Sequence, residues 1–341
     1  MDPLHRRPLG KTGVSVTQLG VGGAQIGDMF VKVSDEDAHH AIRSAYDAGV
    51  RYFDTSPWYG RGQSERRYGQ FLRNQPRDSF VLSTKVGRVF HRPADLDAFA
   101  AKKMLGGLDF DFHWDFSYDG ILRSYEDSLQ RLGLNRVDLL LIHDLDVAEH
   151  GSEEAVDRHF KDLCDSGWKA LDELRSSKEI QGIGAGINIT GMILRFLESF
   201  DIDFFLVAMP YTLLDQDALD VELPACAERN AGLVVGAPYS SGVLATGAVQ
   251  GASYNYAPAS DEVLDKVRRI QAVCGRHDVP LRAAALQFPL AHSSVASIIP
   301  GVIASEQVEE NIRWVGTEIP SALWEELKAE GLLRKDAPVP S

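Results

Sequence analysis

Short apolar runs alternate along the chain with longer segments in which apolar residues recur at helical spacing, a rhythm that predicts strand-helix units around a parallel sheet. Eight runs read as strands: 18–22, 51–53, 80–84, 137–142, 182–187, 204–208, 233–236 and 297–299. Helical patterns fall at 35–48, 64–72, 118–131, 156–176, 217–229 and 261–276, several opened by a Ser or Asp suited to capping. Two segments break the rhythm: 87–117 is rich in aromatic and acidic residues, and 242–259 in Gly, Ala and Tyr. The expected fold is an α/β (β/α)8 TIM barrel forming one domain over 1–341. Loops that follow strands in such a barrel gather at its C-terminal face, which makes 87–117 and 242–259 candidate substrate loops.

Composition narrows the partners more than the fold. The 341 residues are 44% hydrophobic and 25% charged, enough apolar content for one large barrel, and no run of 18 apolar residues suggests a membrane span. A formal charge of −14 without a basic cluster argues against nucleic acid or an anionic membrane surface and leaves a small molecule as the expected partner, with the oligomeric state open. The opening MDPLHRRPLG has no apolar stretch behind its basic residues, so a cytoplasmic location is expected. Cys164, Cys226 and Cys274 are odd in number and widely spaced, so no disulfide framework or zinc cluster is expected, and they read as reduced, mostly buried side chains.

Four polar residues stand at or just beyond apolar strands. Asp54 ends RYFD, Lys85 ends FVLSTK, His143 ends VDLLLIH, and Tyr59 follows Asp54 in the turn TSPWYG. Parallel neighbouring strands would bring all four to one mouth of the barrel. A free tyrosine titrates near about 10, and an adjacent ammonium favours its phenolate. Lys85 would supply that charge, Asp54 would keep Lys85 protonated, and His143 would donate a hydrogen bond to a substrate oxygen, a set suited to proton transfer coupled to hydride transfer. The HDLD segment offers His143, Asp144 and Asp146 but lacks further ligands at regular spacing, so no metal is expected. Gly182, Gly184 and Gly186 imitate a dinucleotide fingerprint yet fall inside a strand, so tight backbone packing is the simpler reading. Trp58, His91, His113, Trp114, Phe116, Tyr254 and Tyr256 could wall a substrate or simply pack within their loops.

The segments LGVGG, AYDAGVRYFDTSPWYGRGQSE, STKVGR, SLQRLGLNRVDLLLIHD and IIPGVIASEQVEEN resemble the aldo-keto reductase superfamily in order and spacing, across nearly the whole chain. DFSYDGILRS, SSGVLATG and VPLRAAALQFPLAH look most like its sugar 1-dehydrogenase branch, which includes L-fucose and D-threo-aldose dehydrogenases and a pyridoxal dehydrogenase. The resemblance implies the catalytic tetrad Asp54, Tyr59, Lys85 and His143. It also implies a nicotinamide cofactor held by Gly23, Ala24, Asp54, Asn188, Tyr239, Ser240, Ser241, Gly242, Leu244, Gly301, Gln307, Glu310 and Asn311, with Trp58, Tyr59, His143 and Trp114 on the substrate. Relatives that use NADP place cations around the 2′-phosphate where this chain has Gly301, Val302 and Gln307, so NAD is expected over NADP unless a cation such as Arg88 intervenes. The expected reaction is oxidation of a cyclic aldose hemiacetal (L-fucose, L-galactose or D-arabinose) at C1 to the lactone. Pyridoxal oxidation to 4-pyridoxolactone, NADPH-dependent carbonyl reduction, and a cofactor-sensing accessory subunit are the alternatives.

Overall fold

Every apolar run expected to be a strand forms one, trimmed or shifted by at most three residues at an end. The computed structural model describes residues 1–29, 31–102, 105–208 and 210–340; within the expected loop 87–117, Lys103 and Met104 lie outside the described residues. The barrel strands, numbered here in chain order, are β1 Val21–Gly22, β2 Tyr52–Asp54, β3 Val81–Val86, β4 Leu139–His143, β5 Gly182–Ile187, β6 Phe204–Val207, β7 Gly232–Val235 and β8 Val295–Ile298. Each pairs in parallel with its sequence neighbour. Bonds from Gly20 N to Ile298 O (2.9 Å) and from Ile298 N to Gln18 O (2.9 Å) join the last strand to the first and close the barrel.

The two-residue alternation of a strand sorts side chains between two cores. Tyr52, Leu139, Leu141, Phe204, Leu206, Val234 and Ala296 fill the barrel interior, and Leu9, Val14 and Val16 of an N-terminal hairpin (Arg6–Pro8 with Ser15–Thr17) pack into the same cluster. Phe53, Leu82, Leu140, Ile142, Ile183, Phe205, Leu233 and Val295 face outward into the larger core shared with the helices. Gly182 and Gly184 stay glycine for packing: a Cβ at 182 would lie 2.4 Å from Thr12 Cγ2, and one at 184 would lie 2.6 Å from the Phe204 ring. Ahead of β4 and β6, Asp138 and Asp203 accept from the backbone N–H groups of Leu82 and Ile183 (2.8 Å each) and pair with Arg77 and Arg175, pinning strands at the end away from the tetrad.

Several helices carry the caps read from sequence. Ser34, Ser117 and Ser260 accept from Asp37 N, Gly120 N and Val263 N, each cap contributing about 1 kcal/mol. The single helix expected over 156–176 is three joined pieces, Glu153–Asp162, a π-turn Leu163–Gly167 and Trp168–Ser176. The wide turn brings Gly167 so close to Phe116 O that a Cβ would sit 2.0 Å from it. Helices Leu281–Leu290 and Ser305–Gly316 were not expected; the first is buried almost all round, so it lacks the polar face that produces a periodic signal. Cys226 and Cys274 are buried and Cys164 is exposed, in line with a mostly buried set, and all three are free thiols. No helix among the described residues is long and apolar enough to cross a membrane.

Candidate active site

Asp54, Lys85 and His143 occupy the inward-facing phase of β2, β3 and β4, one repeat above Tyr52, Ser83 and Leu141. Strand alternation thus puts three polar groups in the top layer of a largely apolar interior. Lys85 Nζ donates to Asp54 Oδ1 (2.9 Å), Asp54 Oδ2 (2.7 Å) and Thr55 O (2.8 Å), which engages all three ammonium hydrogens. Ser83 Oγ adds a bond to Asp54 Oδ1 at 2.7 Å. Burial raises the Asp54 carboxyl from its ordinary value, opposed by the Lys85 ammonium and by the bonds from Lys85 and Ser83.

Tyr59 sits on the turn after β2, with its ring centroid 4.8 Å from Lys85 Nζ and 5.8 Å, edge-on, from the His143 ring. The turn packs on Gly27, where a Cβ would lie 2.5 Å from the Tyr59 carbonyl carbon. The phenol is not in the setting expected from sequence. Burial first, and then the carboxylates of Asp54 and Asp144, hold it well above the ordinary tyrosine value, with Arg88 the charge that opposes them. The reason is geometric: the Lys85 ammonium reaches Tyr59 already paired with the Asp54 carboxylate, and its three hydrogens go to Asp54 and Thr55.

His143 is held by Arg88. The guanidinium NH1 lies 2.8 Å from His143 Nδ1, and Ser56 Oγ lies 3.0 Å from the same nitrogen. Arginine can only donate, so Nδ1 accepts and the proton of the neutral ring is on Nε2. Burial, with Arg88 and Lys85 against the opposing pull of Asp144, keeps the imidazole well below its ordinary pKa and therefore uncharged. Asp144 follows, with Oδ2 2.9 Å from Arg88 NH2 and 3.3 Å from His143 Nε2, and Oδ1 accepting from Asn188 Nδ2 at 3.0 Å. Burial pushes its carboxyl up, yet the Arg88 guanidinium and the bonds from Arg88 and Asn188 bring it below the usual range. The Asn188 amide also lies 3.3 Å from Asp146 Oδ2, which directs its hydrogens to the two carboxylates and leaves its carbonyl oxygen as acceptor.

The tetrad forms one wall of an open cavity of about 800 Å³ that runs from Trp58 and Asp144 past Gly186 to Gly301 and Glu310. At Gly186 a Cβ would rest 3.6 Å from His143 and 3.7 Å from Lys85, so any larger side chain would fill the space in front of both. Residues 18–330 match the profile of the aldo/keto reductase family. The chain belongs to this family. It is 39% identical over 338 residues to the pyridoxal 4-dehydrogenase of Microbacterium luteolum, covering 96% of this chain and 98% of the relative. It is also 39% identical over 336 residues to the D-threo-aldose 1-dehydrogenase of a Pseudomonas species, covering 94% and 96%. In fold, it matches a holo-form aldo-keto reductase of Bacillus halodurans with a TM-score of 0.75 at 24% identity, over 99% of this chain and 98% of that one. The chain is accordingly an oxidoreductase of the nicotinamide-dependent aldo/keto reductase family.

The positions expected from the family to hold the cofactor divide into two groups. Gly23, Ala24, Asp54, Asn188, Tyr239, Ser241, Gly242, Gly301, Gln307, Glu310 and Asn311 line the cavity together with Trp58, Tyr59, Lys85 and His143. Ser240 and Leu244 do not: Ser240 Oγ donates to Thr212 Oγ1 (2.9 Å) and its N–H to Ala237 O (2.8 Å), while Leu244 is buried with its N–H on Tyr239 O (3.1 Å). Trp114 also misses the cavity. The loop 87–117 contains a hairpin, Arg88–His91 with Asp111–Trp114, in which Trp114 pairs directly with Arg88 and lies over its guanidinium at 4.0 Å. Of the other aromatics considered, only Tyr256 lines the cavity; His91 and His113 stack on each other, Phe116 is buried in the core, and Tyr254 bonds Asp215.

The cavity suits a nicotinamide dinucleotide. Asn188 offers a carbonyl at the tetrad end, and the Tyr239 ring is fixed through its hydroxyl on Asn311 Oδ1 (2.7 Å). At the far end the cavity-lining cation among the described residues is Arg282, which sequence reasoning missed, and it is already bound to Glu310 Oε2 (3.0 Å) and Ala245 O (2.7 Å). Gln25 covers Gly301 so closely that a Cβ there would meet its Oε1 at 1.7 Å. Arg88, the cation weighed against NAD, belongs to the tetrad end instead. Arg88 and Asp144 were legible only as neighbours of Lys85 and His143 in VGR and HDLD; their pairing depends on the fold.

Proposed function

We propose that the protein oxidises a cyclic aldose hemiacetal at C1 to its lactone with NAD. The observation that carries this reading is the pairing of Tyr59 and a neutral, Nε2-protonated His143 on one cavity wall, over a buried Lys85–Asp54 pair. NAD, when bound, supplies the hydride acceptor. His143 donates a hydrogen bond from its Nε2–H to the C1 oxygen, and Tyr59, once ionised, accepts the hydroxyl proton. Lys85 and Asp54 fix the floor on which Tyr59 rests. Because Tyr59 is held as a phenol, the oxidative direction requires that proton to leave first.

The preference for NAD rests on Glu310. Glu310 lines the cavity and holds Arg282 (3.0 Å) and Arg313 (3.7 Å) in ion pairs, so neither guanidinium is left unpaired for a 2′-phosphate. The family names among its relatives keep pyridoxal as a second substrate reading, since pyridoxal also closes to a hemiacetal and Trp58 and Tyr256 offer aromatic faces. The test is a multiple-turnover screen of NAD and NADP with L-fucose, L- and D-galactose, D-arabinose and pyridoxal. Strong NAD-linked turnover of an aldose supports the reading. Turnover of pyridoxal alone selects the second substrate, NADP preference overturns the cofactor assignment, and cofactor binding without turnover points to a sensing subunit.

A further inference from the structure

We propose that Asp144 anchors the substrate through the hydroxyl on the carbon next to the one oxidised, with Arg88 as its positioning residue. The inference rests on the aldose reading above. β4 ends at His143, and the next residue turns into the left-handed region, with φ of 49° at Asp144, a conformation that L residues rarely adopt. The turn takes the Asp144 side chain off the strand and sets it on the cavity wall beside the catalytic imidazole. Its Oδ2 is 3.3 Å from His143 Nε2. A ligand that meets both groups must present an oxygen to the Nε2–H and, about one hydrogen-bond length away, a donor to the carboxylate. Two hydroxyls on adjacent carbons meet that requirement, and C1 and C2 of an aldose carry such a pair.

Arg88 makes the arrangement durable. Its guanidinium is buried against Trp58, Phe112 and Trp114, at 4.8, 5.4 and 4.0 Å from their ring centroids, and reaches His143 Nδ1, Asp144 Oδ2 and Glu149 Oε1 at once. A carboxylate in this position without a cation would be lost to protonation. The same donor that keeps Asp144 charged also directs the His143 proton toward the cavity. Asp144 touches Asn188 as well, so a purely structural role is the rival explanation. Damage through Asn188 or through His143 would fall equally on every substrate, whereas loss of a hydroxyl anchor falls only on substrates that carry the hydroxyl.

The deciding experiment compares the preferred aldose with its 2-deoxy analogue in wild type and in Asp144→Asn. Wild type should favour the parent sugar in kcat/KM by roughly 10- to 100-fold, the range for a hydrogen bond to a charged group. Asp144→Asn should lose a similar factor on the parent and less than about threefold beyond any common loss on the analogue, so that the discrimination collapses. Equal losses on both sugars overturn the anchor. If the Asn variant does not fold, a wild-type enzyme that uses both sugars equally overturns it by itself. Absence of aldose turnover in wild type overturns the functional reading and the anchor with it, whereas turnover without discrimination overturns the anchor alone. For Arg88, Arg88→Met should move His143 toward the Nδ1-protonated tautomer in 15N spectra and raise KM for the parent sugar more than for the analogue, and Arg88→Lys should recover part of the latter. An unchanged tautomer removes Arg88 from the account.

Discussion

Replacing Lys85 with Met isolates the buried pair beneath Tyr59. Methionine roughly preserves volume but withdraws the two bonds to Asp54 and the one to Thr55 O, leaving a carboxylate that is 1% exposed facing an apolar side chain. Breaking a buried pair by removing one partner costs about 3–5 kcal/mol, because the remaining charge has lost its compensation. With an unfolding entropy of about 2.1 cal/mol/K per residue over 341 residues, each kcal/mol shifts Tm by about 1.4 °C, so a fall of about 4–7 °C is expected at neutral pH. The pH dependence has a definite sign. Burial already raises the Asp54 carboxyl, and without Lys85 it rises further above its unfolded value of about 3.9, so the folded state binds the extra proton. The deficit is therefore full above the raised pKa and shrinks as pH falls toward that of the unfolded carboxyl. The double variant Asp54→Asn/Lys85→Met, with no buried charge, should recover most of the stability and none of the activity. Calorimetry at neutral and mildly acidic pH measures both effects. A Lys85→Met protein as stable as wild type, or a double variant no better than the single one, would refute the uncompensated-charge reasoning.

Two further outcomes follow from the electrostatics. Because burial and the Asp54 and Asp144 carboxylates hold Tyr59 well above the ordinary tyrosine value, log kcat/KM for oxidation should climb steadily between about pH 7 and 10, while the reverse reduction, which uses the phenol, stays nearly level; an oxidative plateau at neutral pH contradicts this. Glu310→Gln should release Arg282 toward a 2′-phosphate and raise the NADP to NAD ratio of kcat/KM by roughly tenfold. An unchanged ratio places the cofactor preference elsewhere.

The barrel was readable because its signal is local. Eight apolar runs, each a few residues long, carry their own strand pattern, and a parallel barrel joins them in sequence order, so no long-range pairing had to be guessed. Asp54, Lys85 and His143 followed because the last inward residue of a strand must face the mouth, and Tyr59 because the turn after β2 opens at the same end. What sequence could not carry was the state of those groups. Lys85 beside Tyr59 suggested a lowered phenol, yet its hydrogens are directed to Asp54 and Thr55 by geometry that only the folded turn creates. Trp114 looked suited to a substrate, but its pairing with Arg88 across a hairpin turned it onto the guanidinium. Ser240 and Leu244 lay in a matching motif, and burial of their side chains depends on how that short loop closes. Helix Leu281–Leu290 escaped because burial almost all round erases amphipathicity, and with it went the position of Arg282.

The most direct test of the account is Tyr59→Phe, assayed for NADH formation from the preferred aldose beside a titration of NAD affinity. The side chain lines the cavity, and its hydroxyl is the group assigned to accept the substrate proton. The account predicts a loss of kcat of about 10²–10⁴, the range for removing a general acid-base group, with NAD affinity held within about threefold. Near-wild-type turnover in the phenylalanine variant would contradict it.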